Sequence, residues 1–309
     1  MNKNVVISQN LNLNVNLYVQ QFLNSLDIRE SSKSTYNRQL KEFLIWLKNF
    51  CVINPTRESL LEYREYLKNI KELSAFTIGG YLTAIRRFFE WLESMKIYPN
   101  VAKSIRGPKK RRGFKKDALT IEQVKKLLDS IDRSTFDGKR DFAIINLMVR
   151  TGLRTIEIIR ATKEDISCNQ GEYVLWVHGK GRDSKDELVL LTESTLVPIQ
   201  EYFSSRGNIK EAAPVFASHS SKNFGKMLTT RSISRIVKNR LKNIGIIDNR
   251  LTAHSLRHTA ITLSLMAGAT PQEARALARH SDINTTLIYA HNLNRIAQAP
   301  ERKIDKILK

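Results

Sequence analysis

Apolar residues return every three or four positions through most of the first hundred residues. In STYNRQLKEFLIWLKNF, Tyr36, Leu40, Phe43, Leu44 and Leu47 fall on one stripe, the period of an amphipathic helix. LYVQQFLNSL, SLLEYREYLKNI and TIGGYLTAIRRFFEWLESM repeat that rhythm. Four helices are therefore expected over residues 14–100, enough for a bundle near the lower size limit of an independent domain. The first 13 residues, polar and rich in asparagine, are expected to form a flexible tail.

The rhythm breaks at VAKSIRGPKKRRGFKKDAL, where Gly107, Pro108 and Gly113 interrupt helical continuity. A linker over 101–116 is expected, followed by a second domain over 117–309. That domain opens with Thr120 and Gln123 in the capping-box arrangement, and DFAIINLMVRTGLRTIEIIRAT continues as helix. In EYVLWVHG and DELVLLT the residue types become β-rich, and the turn-forming KGRDSK between them predicts a hairpin. LVPIQEYFSS and SISRIVKNRLKNIG follow, then AHSLRHTAITL. A further helix is expected to begin at Thr270-Pro271 with Glu273 at its third position. NTTLIYAHN and a basic amphipathic tail, PERKIDKILK, close the chain. The expected fold class is mainly α with a small antiparallel β hairpin or sheet: a helical module followed by a mixed α/β domain.

Charge narrows the partner. The 309 residues carry 51 Lys and Arg against 30 Asp and Glu, a formal net charge of +21. Such an excess calls for a polyanion, with nucleic acid ahead of a membrane surface or an acidic protein. In the linker, Lys109, Lys110, Arg111, Arg112, Lys115 and Lys116 suit a phosphate backbone better than a purely solvated run. Arg86 and Arg87, beside Thr83 on the fourth helix, are placed for the same partner. No apolar run approaches the ~20 residues that span a bilayer, and the N-terminus has no apolar signal core. The two cysteines, Cys51 and Cys168, fit a reducing compartment. A cytoplasmic protein with no membrane partner is expected.

The chemistry starts from AHSLRHT. His254 and Arg257 are three apart and His254 and His258 four apart, so either pair could share a helix face. A zinc-protease helix needs Glu after the first His, and this chain has Ser255; no metal site is expected. Other polar residues keep company in order. Arg154 precedes Glu157 in RTGLRTIE, Lys180 lies in HGKGRDSK, and His280 and Tyr289 lie in LARHSDINTTLIYAHN. Singly, each has an ordinary reading: Arg154 as a cap or partner of Glu157, His254 as a helix-start residue, Lys180 as a turn lysine, Tyr289 as core.

As an ordered set they resemble the tyrosine recombinase (phage integrase and Xer) family, whose members carry Arg, Lys, His-x-x-Arg, His or Trp, and Tyr in that order. The resemblance covers nearly the whole chain and includes the T-G-L-R and L-R-H-T frames. It implies a core-binding domain over 14–100 and a catalytic domain over 117–309, in which Arg154, Lys180, His254, Arg257, His280 and the nucleophile Tyr289 act, with Glu157 in support. It further implies strand cleavage through a 3′-phosphotyrosyl link and a Holliday junction, without metal, ATP or any other cofactor. The implied partners are double-stranded DNA with inverted-repeat sites and a homotetramer assembled on it, with room for accessory proteins. The tail over 293–309 would dock into a neighbouring protomer or pack on its own domain. In one place the chain departs from the pattern: Ala278-Arg279-His280 stands where the family usually has Leu-Gly-His, and Arg lacks glycine's backbone freedom. Lys185 competes with Lys180 in the same turn, and G-K-G favours Lys180.

The residue types suit that chemistry. Two guanidiniums can clamp the nonbridging oxygens of a phosphodiester through paired hydrogen bonds. A phenol with pKa ~10 needs a proton acceptor, for which His254 is a candidate. Lys180 on a hairpin suits protonation of the leaving 5′-hydroxyl, and His280 suits a hydrogen bond to the phosphate. Two other readings remain: a non-catalytic DNA-binding protein of the same fold, and a type IB topoisomerase-like relaxing enzyme.

Overall fold

A computed structural model describes residues 14–109, 118–178, 184–297 and 300–308. The chain divides into two compact units, residues 1–112 and 113–309. The expected flexible tail lies outside the described residues, as do Lys110, Arg111, Arg112, Lys115, Lys116 and Lys180.

In the first unit the apolar stripes build α1 (Val15–Ser25), α2 (Glu30–Asn49), α3 (Arg57–Glu65), continued by a π turn over Tyr66–Ile70, and α4 (Ala75–Ser94). Leu40, Phe43 and Leu47 of the α2 stripe are buried as the spacing predicts. Phe43 stacks with or meets the edges of Trp46, Tyr63 and Phe89. Residues 101–105, expected as the start of the linker, pack here. Ala102 and Ile105 join the core there, with Val101 partly buried against it.

The second unit is organised around α6 (Phe136–Thr151), which is buried on most of its circumference. Before it, α5 (Ile121–Asp129) starts with the expected capping box between Thr120 and Gln123. After it come α7 (Thr155–Arg160) and a three-stranded antiparallel sheet of β1 (Ile166–Asn169), β2 (Glu172–Val177) and β3 (Glu187–Leu190), in that order. The β2–β3 pairing is the expected hairpin, in register Val174 with Leu190. Strand β1 was not predicted. It has four residues, two of them exposed, too few to show alternation. It turns into β2 through Gln170 and Gly171, both at positive φ, the backbone of a two-residue hairpin turn. Around α6 pack α8 (Glu193–Arg206), α9 (Thr230–Asn243) and α10 (Ala253–Met266). The buried carboxylate of Asp141 holds α9 in place, taking bonds from Arg140 at 2.8 Å and Arg240 at 2.6 Å. Then α11 (Pro271–Ala278), begun by the expected Thr270–Glu273 box, leads to α12 (Asn284–Ala297) and α13 (Pro300–Ile307). No described helix is long and apolar enough to cross a membrane.

Gly138, in the first turn of α6, allows the tightest approach among the described glycines. A Cβ there would lie 1.7 Å from the carbonyl oxygen of Asp132, and backbone cannot rotate away as a side chain can. Gly138→Ala should therefore destabilise the second unit by on the order of 3 kcal/mol, read as a lower Tm.

Candidate active site

Four helix ends meet to make the site. Gly152, at φ +62°, closes α6 and turns the chain so that Arg154 becomes the N-cap of α7. The Glu157 carboxylate accepts the Arg154 backbone N–H at 2.8 Å and its Nη1 at 2.6 Å. Helix α10 is capped by Thr252, whose amide donates to Ser255 Oγ at 3.0 Å; this puts His254 in the first turn and leaves Arg257 1 % exposed. Helix α11 ends on Arg279, in the left-handed region at φ 51°, ψ 48°.

The final carbonyls of α11 take guanidinium donors. Ala278 O accepts from Arg257 Nη2, Leu277 O from Arg279 Nη1 at 2.8 Å, and Arg279 O from Arg154 Nη2 at 3.1 Å. A helix C-terminus has spare acceptors and the negative end of the dipole, so it is a natural seat for cations. Arg257 also donates Nη1 to Gly152 O at 2.5 Å. The two arginines of the ordered set, 103 residues apart in sequence by their numbers (257 − 154), are thus fixed against one turn.

They line a cleft of about 750 Å³ together with Arg275, Arg279, His254, His258 and His280. Four guanidiniums dominate its charge. Burial alone would raise the Glu157 carboxyl, but Arg279 and Arg154 outweigh it and hold the group below its ordinary value. Burial, then Arg154 and Arg279, push Arg257 down to about 9, which leaves it charged at neutral pH. Arg275 steadies the next turn by donating to the carbonyls of His280 at 3.0 Å and Ser281 at 3.1 Å. His280 Nδ1 is engaged by Thr286 Oγ1 at 2.9 Å.

Tyr289 projects from α12 into a small apolar cluster of Ile261, Ala274 and Ala278 and is 1 % exposed. Its hydroxyl is hydrogen-bonded to His258 Nδ1. Burial raises the phenol well above its ordinary pKa, and Arg257 opposes the rise. His258 in turn meets the ring of His254 edge-on, with centroids 4.5 Å apart. The structure thus gives the phenol an immediate partner, His258, that the sequence reading had noted only for its spacing from His254. Lys180 lies outside the described residues. Its competitor Lys185 is bound to the buried Asp165 at 2.5 Å, which occupies it in holding the hairpin.

The candidate DNA contacts are more dispersed. Arg86 and Arg87 are exposed on α4, with Arg86 Nη2 donating to Thr83 Oγ1 at 3.1 Å, and Lys109 is exposed. A further basic element escaped the sequence reading. On α9, Arg231, Arg235, Lys238 and Lys242 are exposed at spacings of four, three and four, opposite the buried Ile233, Val237 and Leu241. The signal was present in SISRIVKNRLKNIG, whose basic residues recur at the same three- and four-residue spacing as its apolar ones.

Residues 117–295 match the model of the phage integrase family, and residues 15–96 match that family's N-terminal SAM-like domain. The chain belongs to the phage integrase family. Similar curated relatives of this integrase-family chain include a protein named tyrosine recombinase XerC from Thermodesulfovibrio yellowstonii. It is 28% identical over 294 residues, covering 90% of this chain and 92% of that protein. Tyrosine recombinase XerD of Vibrio vulnificus is 30% identical over 287 residues, covering 89% and 90%. Among solved structures, XerH recombinase bound to a palindromic difH substrate superposes with TM-score 0.71 at 22% identity, covering 96% of this chain and 91% of that one. A lambda integrase dimer on a core site gives 0.68 at 16%, covering 88% and 96%. These likenesses extend the integrase fold over both units.

Proposed function

We propose that Tyr289 is the nucleophile of DNA strand cleavage and that Arg154 and Arg257 clamp the phosphate it attacks. The chain is a site-specific recombinase, an enzyme that cleaves and rejoins DNA strands. The observation that carries the residue assignment is the convergence of both guanidiniums and the Tyr289–His258 pair at the junction of α7, α10, α11 and α12. Paired N–H donors stabilise the charge gathering on the nonbridging oxygens. His258 is in place to take the phenolic proton, with His254 beside it. Lys180 protonates the leaving 5′-oxygen, and His280 binds the phosphate. The product of the first step is a 3′-phosphotyrosyl bond, which conserves the energy for rejoining through a Holliday junction. Because Tyr289 is buried, delivering its oxygen to a phosphate held by the clamp requires α12 to shift. The test is covalent trapping on a nicked duplex, chosen by one round of binding from a pool with randomised arms. An adduct that survives denaturation is expected, and its absence would contradict the reading.

For the partners, we read a homotetramer on paired inverted-repeat sites, acting in the cytoplasm in integration, excision or resolution. Described side chains of the C-terminal helix include Ile304 and Ile307, with Leu308 following, and all three are exposed. Eight residues are too few for a helix to stand alone, so docking on a neighbouring protomer is the reading they favour. Deleting residues 293–309 should spare half-site binding and abolish recombination of paired sites. Loss of half-site binding would place the tail within its own domain.

The DNA-facing charge is testable through salt. Replacing Arg231, Arg235, Lys238 and Lys242 with Gln should flatten the log–log salt dependence of duplex binding by roughly 0.9 per lost phosphate contact. The same substitution of Lys109, Lys110, Arg111 and Arg112 should act alike. An unchanged slope in either set would make it a solvated face.

A further inference from the structure

Arg279 occupies backbone that suits glycine. At φ 51°, ψ 48° a residue with a Cβ is uncommon, and non-glycine residues held there cluster at functional sites. Its side chain is also only 6 % exposed, rare for arginine. Three acceptors explain where the guanidinium goes. Nη2 donates to Glu157 Oε2 at 3.0 Å and lies 3.3 Å from Gly152 O, while Nη1 donates to Leu277 O at 2.8 Å. Two of these belong to the clamp. Glu157 is the carboxylate that orients Arg154, and Gly152 O is the carbonyl that accepts from Arg257. The Arg279 carbonyl itself receives Arg154. Every bond that aims the two clamp arginines therefore passes through a group that Arg279 touches or neighbours.

We propose that Arg279 is a positioning residue of the strand-cleavage site, holding Glu157 and Gly152 so that Arg154 and Arg257 face the cleft. This rests on the reading of Arg154 and Arg257 as the phosphate clamp. From β3, Glu187 Oε2 faces Arg279 Nε at 3.7 Å, and neither atom has a hydrogen-bond partner among the described residues. Among the described residues, the charged groups around Glu157 are thus Arg154 and Arg279 in contact, Arg257 beyond them, and Glu187 on the far side of Arg279. A helix-end cation acting only on the α11 dipole would need none of the Glu157 and Gly152 contacts.

The distinction gives a pH signature. Arg279 helps hold the Glu157 carboxyl low. Without it, Glu157 protonates at higher pH, releases Arg154, and cleavage fails earlier as the solution is acidified. The experiment compares Arg279→Gly and Arg279→Lys with the parent by single-turnover adduct formation across pH on the selected nicked duplex, with melting and duplex affinity measured alongside. Glycine relaxes the backbone, so Arg279→Gly should fold and bind DNA. It should cleave about 100-fold more slowly, as expected for a misaimed clamp, with the acid limb moved to higher pH. Arg279→Lys keeps one charge and should recover part of both. If Arg279→Gly does not fold, the partial loss and the shifted limb in Arg279→Lys carry the same test. Parent-like rates, or slowing with an unmoved acid limb, would overturn the proposal. A parent protein that forms no adduct would instead defeat the clamp reading beneath it.

Discussion

Tyr289→Phe should abolish covalent attachment to DNA while leaving DNA binding nearly intact. The substitution removes one oxygen and keeps the ring in its cluster of Ile261, Ala274 and Ala278. The buried hydroxyl has His258 as its partner, so its removal leaves His258 short of one bond and costs about 1 kcal/mol of stability. That is small beside the complete loss of a nucleophile. The exposed basic residues of α9 and α4 are untouched, so affinity for the selected duplex and its salt dependence should match the parent. Denaturing electrophoresis after incubation with the nicked substrate reads the covalent product. An unreduced adduct yield from the Phe protein would mean that another residue attacks.

Arg257→Lys should be nearly as damaging although the charge is kept. The guanidinium reaches two carbonyls at once, Gly152 O and Ala278 O, and still presents a face to the cleft. A lysine ammonium at the end of a flexible stem cannot reproduce that fork. Loss of one preorganised donor typically costs roughly 100- to 1000-fold in rate, and misplacement of the neighbouring Arg154 would add to it. Single-turnover cleavage should fall by at least that order while duplex affinity changes little. Near-parental cleavage would move the clamp elsewhere.

Local signals carried much of the fold into the sequence. The Thr120–Gln123 and Thr270–Glu273 boxes mark two helix starts because a cap is a four-residue event, complete within its own stretch. The β2–β3 pairing was legible because apolar β-formers flank a turn. The order Arg154, His254, Arg257, His280, Tyr289 was legible as a motif, and the structure places those residues around one turn at the end of α11. The pairing of Tyr289 with His258 was not legible. It depends on how α12 packs across α10, and nothing local in either segment encodes that angle. Arg279 was visible only as a departure from a glycine. Its reach to Glu157, 122 positions away, follows from left-handed backbone that the letter R does not announce. Ala102 and Ile105 were hidden by the lysines and arginines around them, which made buried chain read as linker.

The central claim is that Tyr289 forms a covalent bond to DNA, and the most direct test is to find that bond. The trapped adduct on the nicked duplex would be digested with protease and nuclease and the modified peptide sequenced by mass spectrometry. The expected result is a single peptide spanning the NTTLIYAHN segment, carrying a nucleotide through its 3′-phosphate on Tyr289. A nucleotide on any other side chain, or a 5′-phosphate linkage, would contradict the account.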